Sequence, residues 1–169
     1  MDFDGVLHPE AVYWRPQRGA YIEDSLASAG HRLFEHAGLL TDLLEPYPHI
    51  SIVLSTSWAR HYRFSKASRR LPIGLRERVI GATFHSQMDK VLFDRLSRGR
   101  QVLSDVERRQ PTSWMAIDDT DEGWDRARGN VVISDERYGI AEPSVLEKLR
   151  DLLSLTFDAV RPQPRTDYQ

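Results

Sequence analysis

The chain has 169 residues, 40% of them hydrophobic and 28% charged, with a formal net charge of −2 at pH 7. That suits one soluble domain with a sizeable core, and the near-neutral balance gives no overall pull toward nucleic acid or anionic lipid. Cysteine is absent, which excludes disulfides, thiolate metal sites and cysteine nucleophiles; with no apolar run of membrane-spanning length and no readable secretory leader, the expectation is a soluble cytoplasmic protein without membrane association or an evident protein partner.

The chain opens on Met1-Asp2-Phe3-Asp4-Gly5-Val6-Leu7, an Asp-x-Asp-Gly turn that can set two carboxylates side by side. The strand that should deliver them would lie upstream, where only Met1 stands. Residues 5–30 read as a loop punctuated by Pro9, Pro16, Gly19 and Gly30. Helical spacing of Leu33, Phe34, Ala37, Leu40, Leu43 and Leu44 predicts a helix over 31–45, ended by Pro46 and Pro48. Ile50 to Leu54 reads as a buried strand closed by Ser55-Thr56-Ser57. A basic helical segment follows over 58–79, with breaks near Pro72 and Gly74, and then a weaker strand from Val79 to Phe84. One or two helices cover 87–109, with Gly99 as the expected break. Trp114 to Ile117 and Asn130 to Ser134 are strands ending in Asp118-Asp119 and Asp135. Pro143 suits the first turn of a final amphipathic helix carrying Val145, Leu146, Leu149, Leu152, Leu153 and Leu155. A single domain over 1–160 and a disordered tail over 161–169 are expected. Short apolar runs alternating with helices are the trace of an α/β domain with a mainly parallel sheet.

Asp2/Asp4, Ser55/Thr56 and Asp118/Asp119 each stand at the carboxyl end of an apolar strand, or where one should be. Open parallel sheets bind ligands along that edge, so three separate stretches would meet in one pocket. The chemistry they suit is phosphoryl transfer. Asp2 attacks phosphorus; Asp4 protonates the leaving oxygen and then deprotonates the hydrolytic water. A hard cation, Mg²⁺, suits the carboxylates of Asp2 and Asp118 with the Asp4 main-chain carbonyl beside them. Ser55 and backbone N–H groups around Thr56 hold phosphate oxygens, and Arg98 balances charge in the transition state. Taken singly, each piece has a plain structural alternative: a turn, a helix cap, a solvated acidic loop, a surface arginine. No P-loop, Gly-x-Gly-x-x-Gly, His-Glu-x-x-His or Gly-x-Ser-x-Gly motif is present.

Together these residues resemble the haloacid dehalogenase (HAD) superfamily of phosphohydrolases. Asp2-Phe3-Asp4-Gly5-Val6 is similar to its first motif, Ser55 to the second and Asp118-Asp119 to the fourth. Arg98 is the choice for the lone basic residue of the third motif, with Arg100 and Lys90 as alternatives. Asp-Gly-Val-Leu-His-Pro, Ser-Thr-Ser-Trp, Val-Ile-Gly-Ala-Thr and Asp-Asp-x-x-x-Gly-Trp are similar to the HAD domain of Swiss Army Knife RNA repair proteins. The resemblance implies a three-layer Rossmann-like domain without a large cap and with its first-motif strand truncated. It also implies an aspartyl-phosphate mechanism and a metal site drawn from Asp2, Asp4, Asp118 and Asp119. In such a fold the first strand is central, so the natural protein is expected to start upstream of Met1.

About 25 residues separate Gly5 from the first predicted helix, too few for a large cap, which points to an open site and a phosphate on a macromolecule. Arg60, Arg63, Lys66, Arg69, Arg70, Arg76 and Arg78 stand against a single acid, Glu77, and could follow a nucleic-acid backbone or simply form a solvated face. Tyr13 and Trp14 could stack on a base or pack under their loop, His8 could meet the leaving group or bond within its loop, and Trp58 and Trp124 read as core. The expected partner is a phosphorylated substrate, with nucleic-acid ends preferred. The rivals are a small-metabolite phosphatase and an inactive binding module of the same fold.

Overall fold

The computed structural model describes residues 1–23 and 30–158, so the expected tail over 161–169 and the end of the domain at 160 lie outside the described residues. Short β-rich runs and amphipathic stretches alternate along the chain. β1 (Val12–Arg15) and β2 (Gly19–Ile22) come first, then α1 (Ala37–Leu44), β3 (Ile52–Leu54), α2 (Ser57–Tyr62), α3 (Phe64–Ser68), α4 (Ile73–Arg76) and β4 (Val79–Ala82). α5 (Lys90–Asp94), α6 (Arg98–Arg109), β5 (Ala116–Asp118), a 3₁₀ turn (Asp125–Asn130), β6 (Val131–Ile133) and α7 (Pro143–Phe157) complete the order. β3 pairs with β4 and β5 with β6, both in parallel, as an α/β fold requires. Among the described residues no helix is long and apolar enough to cross a membrane.

The loop expected over 5–30 instead contains an antiparallel hairpin, with Val12 opposite Ile22 and Arg15 opposite Gly19. Val12, Tyr13, Trp14, Tyr21 and Ile22 favour strands, and Pro16 suits the turn in which Arg18 N–H bonds Arg15 O. Tyr13 and Trp14 are about half exposed, so neither packs under the loop. α1 begins later than expected because Phe34 takes a left-handed conformation while residues 34 and 36 are tied by their N–H groups to His8 Nδ1 and Leu7 O. The basic segment breaks at Arg63, which has positive φ, and at Pro72; Gly74 lies inside α4. Gly99 likewise does not break a helix. It sits in the first turn of α6, where a Cβ would come within 2.4 Å of the Gly123 carbonyl carbon; the break is at residues 95–97. In α7, Val145, Leu149, Leu153 and Phe157 are buried at every fourth position, while Leu155 is 81% exposed.

One core joins Phe3, Leu40, Leu54, Leu75, Ile117 and Leu149; a smaller one gathers Val102, Ala116, Trp124 and Val131 beneath α6. The chain's first two residues link the parallel pairs. The Met1 amine donates to Val53 O at 3.0 Å, Ser55 N–H donates to Met1 O at 2.8 Å, and Asp2 N–H donates to Ile117 O at 3.1 Å. Bonds alternating to left and right are the pattern of a strand lying between two parallel neighbours. Continuing back along that line, a cavity of about 750 Å³ opens between β3 and β5, walled by Leu40, Leu44, Val53, Val102, Ile117 and Leu149. An apolar extension of five residues ahead of Met1 should seat there. Each buried side chain is worth about 1.5–3 kcal/mol against about 1–2 kcal/mol of backbone ordering per residue. The melting temperature should therefore rise by several degrees, whereas a Gly-Asp extension of equal length leaves it unchanged. Equal melting temperatures for the two would show that the cavity cannot seat a strand.

Candidate active site

The loop after Asp2 is held from both sides. Val6 and Leu7 N–H groups bond Phe3 O, Ser134 Oγ donates to Gly5 O at 2.6 Å, and Ile140 N–H donates to Val6 O. Gly5 has φ +64°, and a Cβ there would lie 2.3 Å from Asp119 Oδ2, so only glycine lets the first turn approach the Asp118-Asp119 corner. The backbone bonds of Met1 and Asp2 to β3 and β5 bring the ends of those strands to the same place as Asp2.

Asp2, Asp118 and Asp119 each offer a carboxylate oxygen, and the three oxygens lie within 4.8 Å of one another. Asp2 and Asp118 are almost wholly buried. Asp2 Oδ1 accepts Phe3 N–H at 2.7 Å, and Asp2 Oδ2 faces Arg98 Nη2 at 2.7 Å. Arg98 also donates from Nη1 to Ser55 O at 2.9 Å, and its Nε lies 3.5 Å from Asp118 Oδ2, an ion-pair distance without a hydrogen bond. Arg98 is thus the basic residue brought to the site. Of the alternatives, Arg100 pairs with Asp125 and Lys90 with Asp94, both on the exterior.

Burial raises the pKa of Asp2, and the nearby Asp4 adds to that against the pull of Arg98. Burial and then the charge of Asp2 push Asp118 up to about 8; burial, Asp2 and Glu10 push Asp119 to about 6. Burial works against the Arg98 charge, but Asp2, Asp118, Asp119 and Asp4 more than offset it and hold its pKa above the ordinary value. The cluster therefore holds more negative charge than one guanidinium comfortably balances. Asp118 Oδ2 is a buried oxygen with no hydrogen-bond partner. An all-oxygen donor set with an orphaned carboxylate oxygen and repelling neighbours fits a hard divalent cation.

The Asp4 carboxylate is outside this group. It turns toward α2, where Trp58 Nε1 donates to Asp4 Oδ1 at 2.8 Å and Oδ2 at 3.1 Å, and Ser57 Oγ donates at 3.5 Å. His8 lies 3.0 Å from Asp4 Oδ1 through Nε2, and its Nδ1 accepts Phe34 N–H at 3.2 Å. A ring whose Nδ1 accepts must carry its proton on Nε2, so His8 donates to Asp4. The Asp4 carboxylate is thus engaged away from the cluster, which agrees with the expectation that Asp4 would offer a cation its main-chain carbonyl and not its side chain. Three donors fix the Asp4 rotamer beside, and apart from, the cation cluster. The partners of Asp4 that the sequence does not announce are Trp58 and Ser57. His8 is the loop-bonded histidine expected as one of its two readings, and Trp58 is core by burial but aims its one polar atom at Asp4. The Ser-Thr-Ser-Trp run was the available signal.

Ser55 is buried at the end of β3 with its hydroxyl unpartnered, and Thr56 accepts Trp58 N–H as the cap of α2. The orphan hydroxyl beside Asp2 is free to meet an anion. Within the basic segment the structure separates two kinds of residue. Arg78 donates to Leu44 O, Tyr47 O and Ile50 O at the end of α1, and Arg60 pairs with Asp94, so both are structural. Arg63, Lys66, Arg69, Arg70 and Arg76 remain exposed.

Raised Asp118 and Asp119 values mean that folding favours their protonated forms when no cation is bound. Stability from that preference is complete below the ordinary carboxylate range and is lost as pH climbs through about 6 and then about 8. The melting temperature of metal-free protein should fall between about pH 5 and about pH 9, and Mg²⁺ should restore more of it at the alkaline end, where the ligands are deprotonated. A melting temperature insensitive to both pH and Mg²⁺ would exclude this cluster as a cation site.

A family model described as the HAD domain in Swiss Army Knife RNA repair proteins matches residues 1–145. No curated protein and no solved structure matches the chain.

Proposed function

The chain belongs to the family of HAD domains in Swiss Army Knife RNA repair proteins, whose general chemistry is of the phosphohydrolase type, and from that premise we propose that it is a Mg²⁺-dependent phosphomonoesterase working through an aspartyl phosphate on Asp2. The observation that carries the reading is the meeting of Asp2 with Asp118 and Asp119 within 4.8 Å, beside a separate, firmly oriented Asp4. Two carboxylates in different surroundings take different roles. Asp2 attacks phosphorus as the ester oxygen leaves. Asp4, steered by Trp58, His8 and Ser57, gives that oxygen a proton and later takes one from the hydrolytic water. Ser55 and the backbone around Thr56 hold phosphate oxygens, and Arg98 can transfer part of its charge from Asp2 to the phosphoryl group. A cation bound by Asp2, Asp118 and Asp119, with the Asp4 main-chain carbonyl, would neutralise charge between nucleophile and substrate. We also infer that β4, β3, the Met1-Asp2 segment, β5 and β6 form one sheet covered by helices on both faces, the three-layer Rossmann-like arrangement.

Hydrolysis of a generic aryl phosphate with and without Mg²⁺ tests the reaction, and activity indifferent to chelation would defeat the metal role. Comparing terminally phosphorylated oligonucleotides with sugar phosphates tests the preference for nucleic-acid ends. Equal, salt-insensitive rates on both classes would remove the exposed basic residues Arg63, Lys66, Arg69, Arg70 and Arg76 from substrate binding. One observation favours a second reading, a binding module without turnover: Asp2 Oδ2 is already engaged by Arg98 at 2.7 Å. Tight binding of phosphate esters with no hydrolysis in Mg²⁺ would select it.

A further inference from the structure

Beside Asp4 a pocket of about 430 Å³ opens between the β1–β2 hairpin and α2. Its walls include Tyr13 and Trp14 from the hairpin and Trp58, His61 and Tyr62 from the helix, with Asp4 on its lining. Under the proposed function Asp4 protonates the departing oxygen, so whatever occupies this pocket is attached to that oxygen and leaves with it. We propose that the pocket is a leaving-group subsite that takes the nucleobase of a terminal nucleotide, stacked against Trp14 and Tyr13. This deepens the proposed function and depends on it for the position of the phosphate, though not for the binding of the base.

Four observations support that choice. Tyr13 and Trp14 are 48% and 53% exposed, an unusual cost in solvent for large rings with no covering element among the described residues. Tyr13 is braced by Tyr21 at 6.0 Å between centroids, and Arg18 lies 4.2 Å over the Tyr21 ring, so the hairpin presents its aromatics on a stiffened backing. The opposite wall is polar as well as aromatic, since Ser57 and His61 can meet the edge of a base while Trp58 and Tyr62 flank it. Arg63 and Arg70 lie beside this wall, the Arg70 guanidinium 5.9 Å from the Trp58 centroid, where a phosphate of the adjoining nucleotide would be welcome. A sugar phosphate offers no flat face to these walls. A phosphotyrosine peptide does, but it would set its ring directly on the scissile oxygen and bring no further anionic backbone to the arginines.

The test is calorimetric titration of the full chain carrying Asp2→Asn, which prevents turnover, with nucleoside 3′- and 5′-monophosphates, ribose 5-phosphate and a phosphotyrosine peptide. Stacking on an aromatic side chain should make either nucleotide bind about ten-fold more tightly than ribose phosphate. That preference should collapse toward one in Trp14→Ala and Tyr13→Ala, and Trp14→Phe should restore most of it. Equal affinity for nucleotide and ribose phosphate overturns the proposal. So does a nucleotide preference that survives loss of both aromatics, or tighter binding of the phosphotyrosine peptide. If the aromatic-dependent preference is found but the unsubstituted chain hydrolyses nothing, the subsite stands and the phosphatase reading falls. Hydrolysis without any base preference gives the reverse.

Discussion

Asp2→Asn should abolish phosphate release, by about 10⁴-fold or more in kcat, while leaving the fold intact. The amide keeps the shape of the side chain and the oxygen that accepts Phe3 N–H, but it cannot act as the nucleophile. Folding should not suffer, because the substitution removes a buried carboxylate whose pKa is already raised by burial. Arg98 keeps Ser55 O and Asp118 as partners. Asp4→Asn should be milder, about 10²- to 10⁴-fold, since it removes general acid–base assistance and leaves the attacking group in place. Its effect should depend on the leaving group, being smallest for esters whose oxygen needs no proton. Turnover retained by Asp2→Asn, in protein shown to be folded by its circular dichroism, would take Asp2 out of the reaction.

Arg98→Gln should be the most destabilising single change at the site. The guanidinium lies between two buried carboxylates, and removing one member of a buried ion pair typically costs about 3–5 kcal/mol. For a chain of this size that is roughly a ten-degree fall in melting temperature at alkaline pH. The deficit should shrink toward about pH 5, where Asp118 and Asp119, with pKa values of about 8 and about 6, are protonated and need no counter-charge. Mg²⁺ should also recover part of it, because a cation at the carboxylates replaces the missing charge. An unchanged melting temperature at both pH values would mean that the cluster's charge is balanced by something other than Arg98.

The local parts of this site, and the meeting of Asp2 with Asp118 and Asp119, could be read from the sequence; the contacts that orient Asp4 could not. Ser55 and Asp118 each close an apolar run that leads into a polar turn, and Asp2 is announced by the Asp-x-Asp-Gly turn that follows it. The α/β class and α7 with Pro143 in its first turn followed from the same local order, whereas Arg98 was preferred to Arg100 and Lys90 on the family resemblance, and it is the one of the three that pairs with Asp2. What fixes Asp4 is different. Trp58 reaches it from 54 residues away, and as a large aromatic residue it reads from the sequence as core, while His8 meets it across the turn from four residues on. The hairpin was missed because two of its rings, Tyr13 and Trp14, face solvent, so β1 lacks the alternation of buried and exposed residues that marks a strand. Gly74 and Gly99 were misread for a related reason. Glycine inside a helix looks like a break until the neighbour that needs its space is known, which for Gly99 is the backbone at Gly123. Arg78 was grouped with a basic segment read as either a nucleic-acid track or a solvated face, yet it caps carbonyls at the end of α1, a role set by partners about 30 residues away.

The cavity behind Met1 bears on activity as well as stability. Asp2 is held by one main-chain bond to β5 and by its neighbour's bonds to β3, so its carboxylate is positioned by the backbone bonds of the Met1-Asp2 segment. The apolar extension that raises the melting temperature should therefore also raise kcat, through a nucleophile held more firmly in line.

Crystals grown with Mg²⁺ and trifluoroberyllate, a mimic of the phosphoryl group on a carboxylate, would show whether Asp2 carries that group beside the cation. Beryllium should be bonded to an Asp2 oxygen, with the cation shared between Asp2 and Asp118 and Ser55 Oγ on a fluorine. Beryllium on any other side chain, or a cation bound away from both aspartates, would contradict the proposed reaction.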